Sequence, residues 1–70
     1  MSMKDTENGV RAMFFCDNVK VLEIYTRFPP IVGDEVGCFG KIYKIVHRIF
    51  FYGDITYRFA YTMELVKDAG

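Results

Sequence analysis

Seventy residues with nine basic and nine acidic side chains form one small domain that carries no net charge. No global field draws such a chain to nucleic acid or anionic lipid, and no apolar run nears the ~18 residues that span a bilayer. Hydrophobic residues make up 51% of the chain, with seven Phe and five Tyr, which excludes a disordered polymer. So many rings in so short a chain either fill a compact barrel or line an interface.

Met1 to Gly9 is polar and does not resemble a signal peptide, so it reads as a flexible lead-in to one domain over residues 10–66. A cytoplasmic protein is expected, in which Cys16 and Cys38 stay free thiols because they lack any paired spacing. Val10 to Cys16 and Val19 to Arg27 then read as two strands around Asp17-Asn18, a two-residue turn. Regular pairing through that turn puts Met13, Phe15, Leu22 and Ile24 on one face. It puts Phe14, Cys16, Val19 and Val21 on the other. Both faces are greasy beside the turn, so this hairpin needs cover twice.

Phe28-Pro29-Pro30-Ile31-Val32-Gly33-Asp34 interrupts the pairing. Pro29 lacks a backbone donor, and Pro30 holds its predecessor extended. Gly33-Asp34 signals a turn, Glu35-Val36 starts a short strand, and residues 37–40 make the next tight turn.

Residues 41–66 are a long apolar hairpin split at Gly53-Asp54. Its first arm, Lys41 to Tyr52, has two readings. Ile42, Ile45, Val46, Ile49 and Phe50 fall at helical spacing, with Gly53 as a C-terminal cap. Against this, the run is dense in β-branched and aromatic residues, and Gly40 supplies no capping side chain. The strand is the better reading. The second arm, Ile55 to Val66, alternates strictly, with Ile, Tyr, Phe, Tyr, Met and Leu at odd positions.

A two-residue Gly53-Asp54 turn sets Phe59 against Arg48 and Met63 against Lys44, which puts two cations on the apolar face. A three-residue loop pairs Phe51 with Tyr57, Ile49 with Phe59, His47 with Tyr61 and Ile45 with Met63, and sets Lys44 against Glu64. Burial favours this second register, with an odd loop or a bulge at the tip. Lys67 to Gly70 is a polar tail. The elements add up to an all-β domain, five strands in a strongly curled, mainly antiparallel sheet.

The run Pro30-Ile31-Val32-Gly33-Asp34-Glu35-Val36, followed by Gly40-Lys41-Ile42-Tyr43-Lys44-Ile45-Val46, resembles small SH3-like barrels. There a Gly-Asp turn precedes a short strand and a longer one. The match reaches at most residues 29–66 and implies a five-stranded SH3-like barrel. The Phe-Pro-Pro-x-Val-Gly-Asp-Glu-Val pattern is also similar to that of small bacterial and phage proteins. Neither resemblance implies an activity.

Residues that could carry chemistry are few. His47 is the sole histidine, and the preferred register buries it partly, facing Tyr61. Asp34 and Glu35 are adjacent, so on an extended chain they point apart and cannot share acid–base work. Nothing clusters at metal-ligand spacing. A non-enzymatic protein without cofactor or metal is expected.

Two binding classes remain. In the preferred register Lys44, Arg48 and Arg58 share an outer face with Phe50, Val46 and Thr62. Cations around an exposed ring could track a phosphate backbone and stack a base. Alternatively Phe28, Val46, Arg48, Phe50 and Arg58 contribute to a protein-binding surface, with a second copy of the chain as partner. Zero net charge and the count of rings favour the protein-binding reading.

Overall fold

Two short turns set the pattern of the fold. Asp17 and Asn18 both have positive φ, and so do Phe39 and Gly40. Left-handed pairs of this kind match the twist of the strands they join. In the computed structural model, which describes residues 9–53 and 57–68, the first turn joins β1 (Val10–Cys16) to β2 (Val19–Thr26). The second joins β3 (Glu35–Cys38) to β4 (Lys41–Tyr52), and β5 (Tyr57–Asp68) returns along β4. Lys41 to Tyr52 is therefore strand throughout, and no helix occurs among the described residues. β5 extends to Asp68, two residues into the stretch that reads as a polar tail. Ile55 and Thr56, the expected start of that arm, and Met1 to Asn8 lie outside the described residues.

The strands form one sheet in the order β2-β1-β5-β4-β3, curled through 219° into a half-barrel. It is mixed, because β1 runs parallel to β5 from Arg11 beside Arg58 to Phe15 beside Thr62. The other three pairings are antiparallel. Three residues have no cross-strand partner, and all are valines: Val21 in β2, Val46 in β4 and Val66 in β5. Each is a bulge, which bends its strand and raises the local twist. Three bulges in so short a sheet give it its curl.

The bulges also correct two registers. Ile45 pairs with Met63 and Lys44 with Glu64, as the apolar pattern requires. Beyond Val46 the pairing shifts by one, so Arg48 meets Tyr61, Ile49 meets Ala60, Phe50 meets Phe59 and Phe51 meets Arg58. The expected pairs Ile49–Phe59, His47–Tyr61 and Phe51–Tyr57 do not form. Similarly, Val21 lets Phe14 pair with Leu22 and Met13 with Glu23, so Met13 does not share a face with Leu22. A bulge changes which face the remainder of its strand presents. Regular alternation cannot show it.

Inside the curl lie Ala12, Phe14, Tyr43, Ile45, Tyr61 and Met63, all buried. Cys16, Val21, Leu22, Val36, Cys38 and Phe59 pack around them, and both thiols are free. Gly9 sits tight against β2. A Cβ there would stand 2.2 Å from the Thr26 carbonyl, so only glycine fits.

Candidate functional site

Arg48 organises the upper half of the sheet. The Val46 bulge turns Arg48, Phe50 and Tyr52 toward the same face as Tyr57, Phe59 and Tyr61, their cross-strand partners. The guanidinium lies 5.0 Å from the Phe59 ring centre, and its Nη1 donates to the Pro30 carbonyl at 3.3 Å. The Tyr61 hydroxyl donates to that same oxygen at 2.6 Å. Burial pushes the Tyr61 hydroxyl above its ordinary pKa, while the nearby Arg48 charge acts in the opposite direction. The Pro-Pro loop is thereby tied to the sheet. Its far end is tied as well, since Gly33 donates to the Ile45 carbonyl and Ile45 donates to that of Asp34, each at 2.9 Å.

From this node a line of rings leads outward. Phe14 stacks on Tyr61 with centroids 4.7 Å apart, and Phe59 follows at 6.0 Å. Phe50 lies 5.0 Å from Phe59, with Tyr57 and Tyr52 at 6.0 and 6.3 Å beyond it. Exposure climbs along the series from 1% at Phe14 to 50% at Phe50 and 80% at Tyr52. The inner rings are core; the outer ones face solvent. Contacts of this type add ~0.5–1.5 kcal/mol per pair beyond area burial, which helps hold β4 against β5.

The reverse face of the hairpin differs. Arg58 stands opposite Phe51, its guanidinium 4.7 Å from that ring centre. Ile49 and Phe51 are exposed there, and Lys44 lies further down against Glu64. The five residues singled out in the sequence therefore do not share one surface. Arg48 and Phe50 sit on the ring face, Arg58 on the reverse face, Val46 at the bulge, and Phe28 on the Pro-Pro loop at 87% exposure. Lys44 and Arg58 are on the opposite side from Arg48 and Phe50, which corrects the shared cationic face. His47 is exposed and pairs with Thr62, not buried against Tyr61. Tyr52, Tyr57 and Phe59 join the ring cluster unforeseen, because only the bulge brings them to Phe50.

Among the described residues no group of three acidic, Cys or His side chains is placed to hold a metal ion. No protein-family model, curated protein or solved structure matches the chain.

Proposed function

We propose that this protein is a non-enzymatic binding module that works through protein–protein contacts and associates with itself. One observation carries the reading. Among the described residues six side chains are buried as a core, whereas large apolar residues stand exposed on both faces of β4 and its return, Phe50, Tyr52 and Tyr57 on the ring face and Ile49 and Phe51 on the reverse. A solvated surface scatters its apolar residues singly; exposed rings neighbouring one another, as Phe50, Tyr52 and Tyr57 do, mark a contact surface. Arg58 lies over the exposed Phe51 ring and Arg48 over Phe59 beside Phe50, and Arg with aromatic residues is the composition that interface cores favour.

The same geometry weighs against the nucleic-acid reading. Lys44, Arg48, Arg58 and Phe50 would have to track one strand, yet they are divided between two faces. Arg48 is also already engaged by Phe59 and the Pro30 carbonyl. Light scattering across a concentration series at fixed salt separates the two. Self-association raises the mean mass above 8.2 kDa as concentration rises. Constant mass, with retention on a nucleic-acid column that falls steeply with salt, supports the other class.

A further inference from the structure

The sheet leaves four strand edges open among the described residues, and they are not alike. The β2 edge carries Lys20 and Glu23, bonded at 2.6 Å, and is kinked at Val21. Beyond its pairing with β1, β5 offers Glu64, Lys67 and Asp68 and the Val66 bulge. β3 is four residues long and contains Gly37. Charge, bulges and shortness are the usual devices that keep a strand edge from pairing. The fourth edge keeps fewer of them, a single cation at Arg48 and a bulge confined to its first residue, Val46. β3 pairs with β4 only from Lys41 to Lys44, and the loop carries the ladder to Ile45. From the bulge at Val46 to Tyr52 there is no acidic residue, no Pro and no Gly, and Ile49 and Phe51 on one face and Phe50 and Tyr52 on the other outnumber His47 and Arg48.

We propose that this edge pairs antiparallel with the same edge of a second copy, about a two-fold axis at Ile49. The inference rests on the self-association proposed above and specifies its geometry. Complementarity selects the partner and the axis. Ile49 is the midpoint of the seven-residue edge, so pairing there overlaps all of it. Arg48 of each copy then stands opposite Phe50 of the other, His47 opposite Phe51, and Val46 opposite Tyr52. Neither cation meets its like, and each guanidinium lies between Phe59 of its own chain and a ring of the second copy. Parallel in-register stacking would instead align Arg48 with Arg48, so the same residue opposes a fibril while permitting the dimer. The product is one continuous ten-stranded sheet with isologous symmetry.

Cysteine scanning tests it on the full chain. Single substitutions Arg48→Cys, Ile49→Cys, Phe50→Cys and Phe51→Cys are oxidised mildly, with the native chain as the control for Cys16 and Cys38. Opposed residues in an antiparallel pair have Cα atoms about 4.5–5.5 Å apart, within disulfide reach, and only the residue on the axis meets itself. Covalent dimer several-fold above the other positions is expected at Ile49→Cys. As a second measurement, chains carrying Ile49→Lys and Ile49→Glu should associate when mixed more strongly than either does alone. A protein that doubles its mass without a yield peak at residue 49 and without recovery on mixing overturns the edge pairing but not self-association. A protein that stays monomeric at millimolar concentration overturns both.

Discussion

Arg48 and Tyr61 stand opposite one another across β4 and β5, and both donate to the carbonyl of Pro30. A cation is thus accommodated on the apolar face of the sheet. A guanidinium tolerates this site because it is flat, can lie over a ring and gives up less hydration than an ammonium. The node also fixes the one long loop of the domain, which no strand pairing holds between Thr26 and Gly33.

Replacing Tyr61 with Phe keeps the stack on Phe14 and removes the hydroxyl. The Pro30 carbonyl retains Arg48, so the expected loss is about 1 kcal/mol, read from the urea midpoint at unchanged slope. The pH dependence has a defined sign. Because burial raises the Tyr61 pKa in the folded chain, its contribution is complete below the ordinary value of 10.0 and is lost as pH rises through the raised value. The phenolate absorbance lost in Tyr61→Phe should belong to a group that ionises above the ordinary value, and that ionisation should coincide with loss of structure. Ionisation of Tyr61 at or below that value in a folded protein would contradict its placement.

Phe14 belongs to the buried half of the ring series and Phe50 to the exposed half. Truncating Phe14 to Ala should cost ~3–5 kcal/mol, a large share of the stability of so small a domain, and leave the chain largely unfolded. Phe50→Asp should leave the far-ultraviolet circular dichroism spectrum and melting cooperativity intact while reducing association. If the two variants exchange behaviours, the curl of the sheet is inverted.

The strands themselves were legible in the sequence. Alternation in β5, the Asp17-Asn18 turn and the Pro-Pro break placed all five to within a few residues, because each depends on local chemistry. The registers were legible only as far as the first bulge. Ile45–Met63 and Lys44–Glu64 follow from burial, but Val46 looks like any other valine of a strand, and the loop backbone bonded to neighbouring Ile45 leaves no mark in the local sequence. One extra residue then moves Arg48 and Phe50 to the ring face and His47 out to Thr62. The parallel β1–β5 pair was hidden for a related reason, since it joins the two ends of the chain and leaves no local signal. Backbone contacts between Arg48 and Tyr61, together with Ile45 and Met63, in a nuclear Overhauser spectrum would confirm the bulge; contacts between His47 and Tyr61 would remove it.

Phe39 occupies a left-handed position at φ 54° with 73% of its surface exposed. An aromatic residue is strained there, and Asn is not. Phe39→Asn should therefore stabilise the fold by about 0.5–1 kcal/mol, visible as a rise in melting temperature. A lower melting temperature would mean that the ring makes a contact worth more than the strain.

The edge from Val46 to Tyr52, left open beyond β3, is the one we propose a second copy covers. Amide hydrogen exchange measured in dilute and in concentrated solution addresses it most directly, because it reports the backbone of that edge by residue. Amides within residues 46–52 should gain protection as concentration rises, while those of β2 and β3 remain as they are. Exchange along that stretch that is the same at every concentration, in a sample whose mass does increase, would rule out pairing through this edge.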